Sequence, residues 1–171
     1  RRMGVDYLKY DFCNFPVSGD AKNAYLTMAM ALRHTGRDIL FAACNWGKYD
    51  PSGWMRSRGA HTYRSTGDIF DVPRSYQDIF KQQVENIEGN APGCYNDLDM
   101  LIVGMHGKGN VGIGGCSDEQ YLQHFAMWAF LTSPLIIGAI SGALTVQQSN
   151  SSEQRPHRHQ PGRGVLPCFS H

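Results

Sequence analysis

The run Val5-Asp6-Tyr7-Leu8-Lys9-Tyr10-Asp11 is largely apolar and ends in a Lys-x-Asp pair, and two further strand ends, Thr62-Tyr63-Arg64-Ser65-Thr66-Gly67-Asp68 and Asn96-Asp97-Leu98-Asp99-Met100, each deliver an aspartate near a polar partner. An apolar run is what a buried strand needs; a carboxylate at its end is not. Side chains alternate along a strand, so the two-residue spacing places Lys9 and Asp11 on one face. A cation beside a carboxylate favours the ionised form, and an ionised Asp11 can serve as a nucleophile or a charge stabiliser.

Between these runs the pattern changes to a helical period. Residues 5–9 read as a strand, and 21–34 as a helix with Tyr25, Met28, Ala29 and Leu32 on one side and Gly36 as its stop. The unbroken apolar run 39–43 suits a parallel strand buried on both faces. A strand follows at 61–64. The next helix is predicted over 75–87, capped by Ser75, with Ile79, Phe80, Val84 and Ile87 inward. Residues 99–103 read as a strand and 108–115 as a glycine-rich loop. The spacing predicts a last helix over 117–131, capped by Ser117, with Asp118 and Glu119 at its positive end and Tyr121, Phe125, Trp128 and Ala129 inward. A final strand covers 135–139. Strand–helix alternation implies an α/β fold with a parallel sheet, either a TIM barrel or an open doubly wound sheet. About five strands are present where a closed barrel needs eight.

Composition excludes several classes. The chain has 171 residues and a formal net charge of +1, with no basic stripe, so nucleic acid is not expected as a partner. Its longest apolar stretches, 125–131 and 134–140, are too short to span a bilayer, so no membrane partner is expected either. The five cysteines, Cys13, Cys44, Cys94, Cys116 and Cys168, show no zinc-site spacing and are expected to be mostly free thiols. The loop 107–115 lacks the Lys-Ser/Thr that ends a phosphate loop, and Asp97-x-Asp99 has no calcium-ligand loop around it. No cofactor and no metal are expected; oligomeric state and compartment stay open.

Asp11 and Asp68 form a pair suited to one chemistry. Glycoside hydrolysis needs two carboxyls flanking one bond, one as nucleophile or base and the other as proton donor. Gly67 allows a tight turn before Asp68, and burial against Ile69 and Phe70 is expected to raise the Asp68 carboxyl toward a general acid. Trp46 and Trp54 flank a loop; core packing is the expectation for Trp54.

The motifs Leu8-Lys9-Tyr10-Asp11-x-Cys13, Cys44-x-Trp46-Gly47, Tyr63-Arg64-Ser65-Thr66-Gly67-Asp68-Ile69, Asn96-Asp97-x-Asp99-Met100-Leu101 and Ser133-Pro134-Leu135 together resemble glycoside hydrolase family 27, from residue 3 to about residue 145. The family comprises α-galactosidases and α-N-acetylgalactosaminidases, retaining enzymes on a TIM barrel. The resemblance implies a partial barrel, strands 4 to 8, in residues 1–146. It also implies Asp11 as nucleophile and Asp68 as acid/base. Lys9 and Arg64 would bind sugar hydroxyls, Cys44, Asn45 and Trp46 would line the floor near the 2-hydroxyl, and Asp99 with Met100 would close the other side. The implied substrate is a terminal α-galactoside. An α-N-acetylgalactosaminidase or β-L-arabinopyranosidase on the same scaffold is the alternative, and a catalytically silent carbohydrate-binding or structural barrel piece is an alternative of another class.

Departures from the family pattern carry their own expectations. Many relatives have Glu where this chain has Asn45, whose amide can still donate to and accept from a 2-hydroxyl. Ala60 stands where animal relatives place the bridging partner of the Cys44 position, so Cys44 is expected to be a thiol. The first three barrel strands are absent. Residues 147–171 are expected to be a non-native, disordered tail, because Pro156–Arg163 can be encoded by CCT CAT CGC CAT CAA CCA GGA CGA. Read one nucleotide later, that string gives Leu-Ile-Ala-Ile-Asn-Gln-Asp, the segment the family places near this point.

Overall fold

The computed structural model describes residues 4–16 and 18–139. Seven main elements follow in order: β1 (Tyr7–Asp11), α1 (Ala21–His34), β2 (Leu40–Cys44), β3 (Thr62–Arg64), α2 (Pro73–Val84), β4 (Tyr95–Asp97) and α3 (Asp118–Phe130). The four strands form one parallel sheet in sequence order. A sheet of this order with helices between strands is an arc of a (β/α)8 barrel. Between β2 and β3 two 3-10 turns, Pro51–Gly53 and Arg56–Arg58, stand where a helix would be.

The first three strands lie one or two residues from their expected positions, while the expected fourth and fifth are not formed as strands. Residues 99–103 and 135–139 meet only at one parallel bridge, Leu101 to Ile137. Asp99 takes φ +89°, which breaks the extended conformation ahead of Leu101 and leaves the fourth strand upstream, at Tyr95–Asp97.

α1 forms where its period predicts. Asp20 accepts from the Asn23 N–H at 3.1 Å as its N-cap, and Gly36, at φ +66°, follows the last turn. α2 corrects two expectations. Pro73 supplies the preset first-turn φ, so the helix starts two residues before Ser75, whose hydroxyl accepts the Phe70 N–H at 2.9 Å instead. Its inward line is Tyr76, Ile79 and Gln83, leaving Val84 and Ile87 exposed. In α3 the Ser117–Gln120 capping box is complete, but the buried line runs through Tyr121, His124 and Trp128 rather than Phe125 and Ala129, which are exposed. The His124 Nε2 accepts the Ile102 N–H at 3.2 Å, and burial pushes its pKa down to about 4, so a neutral imidazole occupies this core position.

Two apolar cores result. One joins α1, β1 and β2 around Tyr25, Phe41, Trp54, Met55 and Tyr63; the other joins α2 and α3 around Ile69, Tyr76, Ile102 and Trp128. Trp54 is core, as expected. Polar side chains lie between the two. Ser65 Oγ sits 2.8 Å from Gln83 Oε1 and 2.6 Å from Asn96 Oδ1, and the Asn96 amide donates to Gln83 at 2.7 Å. The expectations for residues 140–171, including the tail and Cys168, lie outside the described residues. Cys13, Cys44, Cys94 and Cys116 are free thiols.

Candidate active site

The parallel register aligns Asp11, Cys44, Arg64 and Asp97 in one row across the sheet, at the last residue of each strand. A second row, two residues earlier, is Lys9, Ala42, Thr62 and Tyr95. Bridged residues and alternate residues share a face, so Lys9 and Asp11 do lie on one side, both exposed. They form no ion pair among the described residues, which corrects the expected contact. The charge of Lys9 acts instead across the row. It pulls against the burial that pushes the Cys44 thiol up to about 11, and against the burial that raises the Asp97 carboxyl. Asp11 Oδ1 accepts the Phe12 N–H at 2.7 Å.

Arg64 organises the next segment. Its Nη2 lies 2.8 Å from the Gly67 carbonyl, 2.9 Å from Asp68 Oδ1 and 2.6 Å from Asp99 Oδ2. The Arg64 side chain is 5% exposed, while that of Asp68 is 71% exposed. The burial expected around Asp68 is therefore not formed: Ile69 turns into the core, Phe70 is exposed, and the carboxylate faces solvent with Arg64 behind it. Asp99 is fully engaged. Its carboxylate also accepts the Ile69 N–H at 2.9 Å and the Met100 N–H at 2.7 Å, tying the ends of β3 and β4 together. Met100, half-buried, packs over Gly138.

Beyond β2 the chain turns sharply. Asn45 is wholly buried, its amide donating to the Lys48 carbonyl and its Oδ1 without a partner. Trp46 takes φ +55° and Gly47 φ +80°; a Cβ at Gly47 would collide with the Ser65 carbonyl, so glycine is required there. The Lys48 ammonium sits 5.3 Å from the Trp46 ring centre and 5.6 Å from that of Phe12, a cation–π contact beside Asp11.

The structure thus brings Asp11, Cys44, Arg64, Asp68 and Asp99 to one end of the sheet, with Lys9 one row deeper and Asn45, Trp46 and Met100 in the flanking turns. Sequence reasoning missed Asp97 as a member of the row and Lys48 as a cover for Trp46. Counting two residues back from Asp99 flags Asp97, but only the register puts it beside Arg64.

The family described as "Alpha galactosidase A" matches residues 1–152. An alpha-galactosidase of Cyamopsis tetragonoloba is 41% identical over 136 residues, 79% of this chain and 30% of that protein. The solved structure of an alfa-galactosidase from Saccharomyces cerevisiae with raffinose is 30% identical with a TM-score of 0.68, covering 82% of this chain and 35% of that one. A family 27 β-L-arabinopyranosidase from Geobacillus stearothermophilus, at 24% identity and a TM-score of 0.65 over 80% of this chain and 33% of that one, shares the fold. The chain spans about a third of the length of such relatives. With the partial parallel barrel, the carboxyl-end row and a family match over nearly its whole length, the chain belongs to the alpha galactosidase A family of glycoside hydrolases.

Proposed function

We propose that this segment works, within a polypeptide that completes the barrel, as part of a retaining α-galactosidase. Asp11 attacks the anomeric carbon as the aglycone bond breaks, and Asp68 gives its proton to the leaving oxygen. In the second step Asp68 takes a proton from water, whose oxygen displaces the Asp11 carboxylate and restores the anomeric configuration. Lys9 and Arg64 offer donors to sugar hydroxyls, Cys44, Asn45 and Trp46 form the floor, and Asp99 with Met100 closes the far side. Residues 147–171 stand outside this catalytic unit.

The observation that carries this reading is the shared row. Asp11 and Arg64 stand two strands apart on one register line, Arg64 holds Asp68 at 2.9 Å, and both carboxylates are open to solvent. That raffinose is bound by a yeast relative of the same fold supports a galactoside substrate. The test is a nitrophenyl glycoside panel against the full-length gene product. The α-galactoside is expected to be turned over fastest, with product formed first as the α-anomer by NMR. Faster hydrolysis of the N-acetylated or arabinopyranoside substrate would reassign the sugar, and no turnover of any glycoside would leave a silent carbohydrate-binding barrel.

A further inference from the structure

Three residues after Asp68 the chain buries a second carboxylate. Asp71 is fully buried, its Oδ1 accepting the Tyr121 hydroxyl at 2.8 Å and its Oδ2 accepting the Gly107 N–H at 2.7 Å. Its main chain joins the same loop, with N–H to the Val111 carbonyl at 3.2 Å and C=O from the Gly115 N–H at 2.7 Å. Tyr121 Oη in turn accepts the His106 N–H at 2.6 Å and the Cys116 N–H at 3.3 Å, so both ends of the glycine-rich loop close on one phenol. Burial, reinforced by Asp71, pushes that phenol up to about 12 and keeps its proton for the carboxylate.

The loop that carries Asp68 is therefore clamped twice. Arg64 and Asp99 hold it on the strand side, through Gly67 O and Ile69 N–H. Asp71 holds it on the helix side. Asp68 itself, mostly exposed, has Arg64 as its one direct side-chain partner among the described residues. We propose that Asp71, acting with Tyr121 and the glycine-rich loop, is a positioning residue that fixes where Asp68 stands over the leaving-group oxygen. This rests on the reading of Asp68 as acid/base given above. A carboxylate is required at position 71 because both of its faces meet donors. An amide would turn its own N–H2 toward one of them, and the Tyr121 oxygen already accepts two N–H groups.

A misplaced acid harms substrates that need protonation and spares those that do not. In the full-length gene product, Asp71→Asn is expected to lower kcat/KM for an unactivated galactoside by about 10- to 100-fold, the cost of an ångström-scale misplacement. For the dinitrophenyl galactoside the loss should stay within about threefold on the same grounds. Asp68→Ala is the reference and should show the same discrimination in stronger form. Tyr121→Phe, which keeps the ring and the Asp71 charge, should show it in weaker form, and hydrogen exchange across residues 65–72 should quicken in both clamp variants. An equal loss on both substrates, or no loss on either, overturns the proposal while leaving Asp68 as the acid. If Asp68→Ala itself fails to discriminate, the acid/base assignment falls and this proposal with it. Failure of both clamp variants to fold would assign the pair to global stability and would also overturn it.

Discussion

At the scale of single residues, Asp11 and Asp68 differ in how the chain holds them. Asp11 ends a strand and is fixed by backbone pairing, with Phe12 N–H on its Oδ1. Asp68 stands on a loop and is fixed by Arg64. A nucleophile must approach the anomeric carbon along one line, and a strand end supplies that rigidity; the acid proposed at Asp68 must owe its position to the ties of its loop instead. In the full-length product, Asp11→Asn should reduce kcat to background. Asp11→Ala should be partly rescued by azide, with the glycosyl azide formed carrying inverted configuration at the anomeric carbon, because the anion enters from the vacated side. Substantial residual turnover by Asp11→Asn without deamidation, or an azide product of retained configuration, would remove Asp11 from the role.

At the scale of elements, α3 carries a pH-dependent contribution to stability. His124 has its pKa lowered by burial from 6.5 to about 4. The unfolded chain therefore binds a proton near pH 6.5 that the folded one refuses until about 4. The sign follows: the contribution is complete above pH 6.5 and is lost as pH falls toward 4, amounting to roughly 3 kcal/mol. Urea titrations between pH 7 and pH 4 should show this fall, and His124→Gln should flatten its His-dependent part. An unchanged slope would show that His124 titrates alike folded and unfolded. This helix also illustrates what the sequence alone reveals. Its start was legible because an N-cap serine followed by two acids is a local signal, as was the end of α1 with its glycine stop. Its inward face was misread because hydrophobicity chose Phe125, while His124 is the residue that accepts the Ile102 N–H in the core. α2 repeats the lesson: Gln83 takes a core position because Asn96 and Ser65 sit opposite it, a pairing between residues 13 and 18 positions away. Asp11 stood out in the sequence because a carboxylate ending an apolar run is anomalous in itself, and Asp68 because it follows a glycine at a strand end. The Arg64–Asp99 tie was not, since it depends on the left-handed turn at Asp99.

At the scale of the whole molecule, the arc is open on the side of β1. Tyr7 and Leu40 are exposed, and among the described residues β1 is paired on one edge only. Strand edges of this kind invite association. The 171-residue chain expressed alone is therefore expected to aggregate and to leave an α-galactoside uncleaved, measured by light scattering and nitrophenol release; clean turnover by a monodisperse sample would contradict this. The polar seam between the two apolar cores has one more consequence. It passes through Ser65, Gln83 and Asn96, next in sequence to Arg64 and Asp97, so this polar network adjoins the end of the sheet where the proposed site residues stand. Heat or denaturant that wets this fault line parts Asp11, on one block, from Asp68, whose neighbour Ile69 is rooted in the other. In the full-length product, turnover followed beside the far-ultraviolet helical signal should then vanish first: the molecule forgets how to work before it forgets how to fold.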